Sequence, residues 1–221
     1  MKGMIYMLLE EQRKKIVEIG KRIQSDKLVP LTFGNFSIRD FETGYVCITP
    51  SGMPYETLTP EDIVVVDVHG NNVDGKRTPS IETGLHCAVY RKRPEVGSVV
   101  HTHSTFVTAW ASCNKEIPSV VAEVAALVSG KVKCAPYRPC GSKELAEVTS
   151  DCLGKDDAVL LGNHGVLVVG ENIDTAYVNA VIVEEGAKVA YYAQHIGDMR
   201  VLNEEECAYE RESAKKGYGQ K

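Results

Sequence analysis

Several things are missing from this chain, and each absence removes a class of function. No apolar stretch reaches the length of roughly 18 residues that a membrane-spanning helix needs, so no membrane partner is expected. No CxxC pair occurs. The seven cysteines (Cys47, Cys87, Cys113, Cys134, Cys140, Cys152 and Cys207) are odd in number and scattered, which suits reduced thiols in a cytoplasmic protein better than a disulfide scaffold. Positive charge is not in excess: 25 Lys and Arg stand against 30 Asp and Glu, a net charge of -5. That balance argues against a nucleic-acid partner and leaves room for a local basic patch around a small anion.

Neither a nucleotide P-loop nor a dinucleotide fingerprint is present around Gly34-Asn35 or Ser51-Gly52. Repeats and linkers are absent too, so the 221 residues read as one domain over 1–221. The opening run Met1–Leu9 passes directly into Glu10-Glu11 without a small-residue cleavage site, and no secretory leader is expected.

What is present is a hydrophobic content of 43%, enough for a sizeable core, and mixed periodicities. Ile16, Ile19 and Ile23 recur at helical spacing within a helix from about Leu8 to Lys27, which Leu28-Val29-Pro30 ends. Strand-like pieces follow at Gly34–Arg39, Tyr45–Ile48 and Ile63–Val68, punctuated by Gly44 and Pro50-Ser51-Gly52. A helix through Tyr90 to Arg93 opens at Pro79-Ser80-Ile81-Glu82, with Ser80 as its cap and Glu82 in its first turn.

Further helices are expected at Thr105–Ser112, Val120–Val128, Ser142 to about Cys152, and Ile173 to about Ile196. Ala158–Leu161 and Val166–Val169 bracket Gly162-Asn163-His164-Gly165 like a hairpin. Helices interspersed with short strands predict a layered α/β or α+β domain.

The chemistry concentrates in histidines. His101-Thr102-His103 closes the buried strand that begins at Ser98-Val99-Val100, and alternation in an extended segment puts both rings on one side. His164 precedes a glycine and can complete one face of a metal site. Three imidazoles from two separate segments beside one carboxylate suit a catalytic divalent metal, zinc above all, with one position left open. Taken alone, His-x-His is a permissive spacing, and Glu82 reads equally well as a carboxylate near a helix start. His86, one turn beyond Glu82, reads as a core or surface histidine able to orient a neighbour.

Read together, the segments Leu31–Ser37, Ile48–Gly52, Pro79–His86, Val100–Ser104, Ala135–Tyr137 and Leu161–Gly165 resemble the class II aldolase/adducin superfamily, especially its small sugar-phosphate aldolases, along nearly the whole chain. The resemblance implies a three-layer α/β/α fold around a mainly antiparallel sheet, and a homo-oligomer, a tetramer with sites at subunit boundaries. It also implies zinc, or another divalent metal, on His101, His103, His164 and Glu82. Glu82 would leave the metal and act as base when substrate arrives.

By the same resemblance, Thr32, Gly34, Asn35, Ser51, Gly52 and Ser80 fall on phosphate-binding positions of a small phosphorylated sugar, while Ile81 replaces one of the family's phosphate-binding serines. The resemblance also implies that Tyr218, in a closing C-terminal tail, is a proton donor or positioning group. Where the family's aldolases carry a tyrosine that serves a neighbouring subunit, this chain has Ala122-Glu123, and Glu123 is similar to the catalytic carboxylate of the family's dehydratases.

The activity implied is reversible cleavage of a ketose 1-phosphate, such as L-fuculose 1-phosphate, to dihydroxyacetone phosphate and an aldehyde. The family's pentulose-phosphate 4-epimerases, its dehydratases and a non-enzymatic adducin-like interaction domain are the alternatives. Glu82 favours aldolase over epimerase, and the complete histidine set disfavours a scaffold.

Overall fold

The computed structural model describes residues 7–128 and 130–216. The chain opens with helix α1 (Glu10–Ser25), then strands β1 (Gly34–Arg39), β2 (Val46–Ile48), β3 (Val64–Val66) and β4 (Asn72–Asp74). Helix α2 (Thr83–Lys92), strand β5 (Ser98–Thr102), and helices α3 (Thr105–Ser112) and α4 (Ala122–Val128) follow. Strand β6 (Lys133–Ala135), helix α5 (Lys143–Leu153), strands β7 (Ala158–Leu161) and β8 (Gly165–Gly170), and helices α6 (Ile173–Ile196) and α7 (Glu204–Lys215) complete it.

Among the described residues the eight strands form one sheet in the order β4-β3-β2-β1-β5-β8-β7-β6. Every pairing is antiparallel except β6 with β7. The expected mainly antiparallel sheet between helical layers is therefore the observed architecture.

Alternation divides the core in two. Phe36, Ile38, Val100, Leu160, Val166 and Val168 point to one face, where α1, α3, α4 and α6 bury Ile16, Ile23, Val107, Val124, Ala180 and Val183. Val99, Val159, Leu161, Leu167 and Val169 point to the other face, against Leu85, Val89, Leu145 and Leu153 of α2 and α5. Because both faces are covered, β8 reads as an unbroken apolar run; Val166 to Val169 are all buried.

β1 departs from this pattern. Asn35 and Ser37, which alternate with buried Phe36 and Ile38, are polar yet buried, and Asn35 pairs across the ladder with His101. This places a polar strip in the middle of the sheet, on the α2 side.

Two expectations at α2 need correction. The helix starts at Thr83 with Glu82 as its N-cap residue, so Ser80 is not the cap. Ser80 instead closes the preceding turn: its Oγ accepts from the Glu82 amide at 3.2 Å and its carbonyl from the Thr83 amide at 3.0 Å. The Glu82 side chain leaves the helix amides and turns to Asn35, because a buried carboxylate gains more from a side-chain donor and nearby imidazoles than from the helix end.

β4, β6 and α7 lay outside the sequence expectations. β4 is three exposed residues held in place by the ion pair of Asp74 with buried Arg13. Arg13 also donates to the Ile63 carbonyl at 2.6 Å, which explains a fully buried arginine on α1. All seven cysteines are free thiols. Among the described residues, no helix is long and apolar enough to cross a membrane.

Candidate metal centre

Each ligand candidate is delivered by a rigid element. His101 lies inside β5 with both neighbouring strands paired, and its side chain is completely buried. His103 is the first residue past that strand. The backbone beyond it is fixed by Glu184 of α6, whose carboxylate accepts the Phe106 amide at 3.0 Å and the Val107 amide at 2.9 Å and so caps the first turn of α3. His164 sits in the β7–β8 turn, where Asn163 takes a left-handed φ of 55°, a conformation asparagine tolerates better than most residues. Gly165 lets β8 reach β5: a Cβ there would lie 2.4 Å from the Thr102 carbonyl oxygen and 2.9 Å from His103 Cδ2.

The three rings meet pairwise at centroid distances of 4.7, 4.8 and 4.8 Å, with interplanar angles of 71°, 76° and 77°. One nitrogen from each lies within 4.8 Å of the other two. His101 Nδ1 stands 2.8 Å from the Val166 carbonyl, which can only accept, so Nδ1 carries the proton and Nε2 faces the cluster. This backbone partner fixes ring tautomer and direction as metal-ligating histidines require. His103 Nε2 approaches His101 Nε2 at 2.8 Å, and the exposed ring of Phe33 stacks on His103 at 6.3 Å with a 6° interplanar angle.

Glu82 faces this cluster from the α2 side and is 3% exposed. Its Oε2 lies 3.2 Å from His101 Nε2, and its Oε1 lies 3.6 Å from His164 Nε2. Three imidazole nitrogens beside one buried carboxylate form a donor set that fits zinc or a similar divalent ion.

Burial alone would raise the Glu82 carboxyl. The charge and hydrogen bond of His101, then His164 and Asn35, outweigh burial and hold it far below the usual carboxylate range. Burial and the His101 charge push His103 down to about 3 and His164 down to about 4. His101 is raised, because Glu82 overcomes its burial. The centre thus holds one anion, two neutral imidazoles and one imidazole that favours a proton.

Behind Glu82 runs a buried polar chain. Asn35 Nδ2 donates to Glu82 Oε2 at 2.8 Å, so Asn35 Oδ1 must accept from His86 Nε2 at 2.6 Å. His86 Nδ1 is then left to accept from Ser37 Oγ at 2.6 Å, and Ser37 Oγ meets Tyr90 Oη at 2.7 Å. Asn35, His86 and Ser37 thus each donate toward the carboxylate, and the Tyr90 hydroxyl also donates to the Ser37 carbonyl at 3.1 Å. His86 is wholly buried, and burial pushes it down to about 3, so it stays neutral in this role. The sequence marked His86 as able to orient a neighbour. The partners on β1 follow from the register, which sets Asn35 opposite His101, and from alternation, which turns Ser37 to the same side as Asn35.

The structure brings some of the other candidate residues together. Ser51 N donates to the Thr78 carbonyl at 3.0 Å and Ser80 N to the Thr49 carbonyl at 3.1 Å, which joins the Ser51-Gly52 turn to the segment before Glu82. Gly34 opens β1 beside His101's strand, and its carbonyl accepts from Tyr55 Oη at 2.7 Å. Thr32 lies half-buried beside Phe33. Asn35 has both ends of its amide engaged with Glu82 and His86.

Glu123 is exposed on α4, which packs on α6 on the far side of the sheet from α2. Tyr218 lies outside the described residues. One contact of the site escaped the sequence reading. Cys140, in the loop after β6, places Sγ 3.4 Å from Glu82 Oε1, and burial and then the Glu82 charge push its thiol up to about 12. No local pattern announces such a contact across 58 residues.

Residues 14–191 match the family model described as the Class II Aldolase and Adducin N-terminal domain. The chain is 39% identical over 216 residues to the 5-deoxy-D-ribulose 1-phosphate aldolase of Bacillus thuringiensis serovar kurstaki, covering 97% of this chain and all of that protein. It is 36% identical over 182 residues to an L-fuculose phosphate aldolase of Methanococcus maripaludis, covering 82% of this chain and 97% of the relative. A solved L-fuculose 1-phosphate aldolase superposes with a TM-score of 0.90 at 33% identity, over 93% of this chain and 96% of that one. The L-fuculose-1-phosphate aldolase of Thermus thermophilus superposes with a TM-score of 0.75 at 26% identity, over 86% and 98% of the two chains.

Proposed function

The chain belongs to the class II aldolase and adducin family, and on that footing we propose that it is a zinc-dependent aldolase. Its reaction is the reversible cleavage of a small ketose 1-phosphate to dihydroxyacetone phosphate and an aldehyde. The observation that carries this reading is the convergence of His101, His103 and His164 on the buried carboxylate of Glu82. The similarity to aldolases of 5-deoxy-D-ribulose 1-phosphate and of L-fuculose phosphate supports a ketose 1-phosphate whose carbon furthest from the phosphate is a methyl group.

His101, His103 and His164 hold the metal, and Glu82 is its displaceable fourth donor. A divalent cation at this position supplies Lewis-acid stabilisation of negative charge on the substrate's carbonyl and adjacent hydroxyl oxygens. In the direction of synthesis, Glu82 takes a proton from the hydroxymethyl carbon of dihydroxyacetone phosphate, and in cleavage it returns that proton to the same carbon. A carboxylate is an anion at neutral pH, and the donors running from Tyr90 to Asn35 hold the Glu82 oxygens in place.

Ser51, Gly52 and Ser80, with Thr32, Gly34 and Asn35, are the phosphate-binding group in this reading. Its support is the backbone pairing that sets the 51–52 turn beside Ser80. Tyr218 supplies the proton exchange at the leaving aldehyde oxygen, and Glu123 belongs to a site shared with a neighbouring subunit of a homotetramer. The exposed Tyr192 and Ile196 on the second half of α6 support an assembly of several copies.

The test is to supply the zinc-loaded protein with the 1-phosphates of 5-deoxyribulose, fuculose and rhamnulose, and separately with ribulose 5-phosphate. Dihydroxyacetone phosphate is expected from at least one ketose 1-phosphate. Epimerised or dehydrated product with no dihydroxyacetone phosphate would overturn the aldolase reading, and metal-independent partner binding with no turnover would favour an interaction domain.

A further inference from the structure

The loop between β6 and α5 brings a thiol up to Glu82 and His164. Cys140 Sγ, a Glu82 carboxylate oxygen and a His164 ring nitrogen all lie within 4.8 Å of one another. They form a second ligand set that overlaps the histidine set at His164. Among the described residues, no other cysteine falls in such a group.

The backbone builds this placement. Gly141 has φ 72°, and a Cβ on it would lie 3.1 Å from the Ile81 carbonyl oxygen, so the bare glycine is what lets the loop press onto the Ile81-Glu82 backbone. On its far side the loop is anchored where Ser142 caps α5, its Oγ accepting the Leu145 amide at 3.1 Å. Held between these points, Cys140 turns its thiol onto Glu82 although the residue as a whole is exposed.

Resting on the metal-centre reading above, we propose that Cys140 is a thiolate ligand of the metal held by the three histidines when no substrate is bound. Ligation replaces the S–H bond by a sulfur–metal bond and releases the proton to solvent, with no change of oxidation state. A soft sulfur donor added to imidazoles biases the centre toward zinc and cobalt and away from magnesium, calcium and manganese. It also ties the 136–142 loop to the metal, so that a substrate chelating through two oxygens displaces the sulfur together with Glu82 as it enters.

Cobalt substitution of the full chain tests this without reference to turnover. Chelator-stripped protein loaded with Co2+ is expected to show visible ligand-field bands together with a near-ultraviolet thiolate-to-cobalt charge-transfer band. C140S and C140A are expected to lose the charge-transfer band and keep the visible bands, which also report that the centre is still assembled. C113S, which alters another exposed cysteine, is expected to keep both. Zinc-edge X-ray absorption of the unaltered protein needs no variant and is expected to contain one sulfur scatterer at about 2.3 Å.

Visible bands without charge transfer, charge transfer that survives in C140S, or a zinc shell of nitrogen and oxygen alone would overturn the Cys140 ligand and leave the histidine centre standing. Failure of the unaltered protein to bind cobalt at all would overturn both.

Discussion

Asn35 donates a hydrogen bond of 2.8 Å to Glu82, from a strand position directly opposite His101. One ladder register therefore places the carboxylate's donor and the buried imidazole side by side on the α2 face. Glu82 is orientated by the sheet, although it sits at the start of a helix.

Removing that donor is expected to weaken the centre while all three histidines remain. N35L and H86L leave groups in the buried chain unpaired, and losing the partners that orient a metal ligand reduces metal affinity or activity by roughly 10–100-fold. Chelator competition and initial rates check both variants, and affinity and rates equal to wild type would count against the orienting role of the chain.

Glu82→Gln keeps the side chain's size and removes its basicity. The variant is expected to retain metal, while deuterium exchange into dihydroxyacetone phosphate falls by about 10²–10⁴-fold, the range of general-base contributions. Metal content measured beside exchange separates the two roles of Glu82.

Proton competition sets the pH dependence of metal binding. His103 at about 3 and His164 at about 4 are already neutral above pH 5, whereas His101 has its proton affinity raised by Glu82. In C140A, whose donors are the histidines and Glu82, the metal must displace one proton and not three below the raised His101 value, whereas the Cys140 thiol adds one more in the unaltered chain. Affinity of C140A is expected to fall about tenfold per pH unit there. Calorimetric titration across pH 5–8 reads the slope directly, and a slope near three would contradict this electrostatic arrangement.

His86 makes the fold itself acid-sensitive. Its value of about 3 lies below the ordinary histidine range, so an unfolded chain takes up a proton that the folded one refuses. Its contribution is fully present above about pH 6.5 and is lost as pH falls toward about 3. Urea unfolding of chelator-stripped protein is expected to show stability decreasing over that window, with a shallower decrease in H86L.

Gly165→Ala tests the close approach of β8 to β5. The added methyl would meet the Thr102 carbonyl at 2.4 Å and His103 Cδ2 at 2.9 Å, so the strands must part. A loss of ~1–3 kcal/mol is expected from overpacking of this kind, with weakened metal binding alongside it. Denaturant midpoints and metal content measure the two effects.

The elements legible in the sequence were those whose signals are local. β1, α3 and α6 run over Gly34–Arg39, Thr105–Ser112 and Ile173–Ile196, as periodicity and flanking residues indicate. β6 was missed because Lys133–Ala135 is three residues long and becomes a strand through parallel pairing with β7. α7 was missed because it buries no residue and so has no apolar stripe, although the Asn203–Glu206 capping box marks its start. At the centre, the histidines and Glu82 were visible as residue types near glycines and strand ends. Ser80 misled as a cap because a serine before a helix has two uses, and here its hydroxyl closes the turn ahead of Glu82. Cys140 had no local signal, since its contact depends on a loop folding back onto Glu82.

The central claim is that the histidine centre and Glu82 perform a metal-dependent aldol cleavage. Its most direct test is zinc-dependent release of dihydroxyacetone phosphate from 5-deoxyribulose 1-phosphate and fuculose 1-phosphate, followed through reduction of the product by a coupling dehydrogenase. The expected result is turnover by zinc-loaded protein, abolished by chelation, restored by zinc, and absent from H103A. Equal turnover in chelated protein or in H103A, or no dihydroxyacetone phosphate from any ketose 1-phosphate, would contradict it.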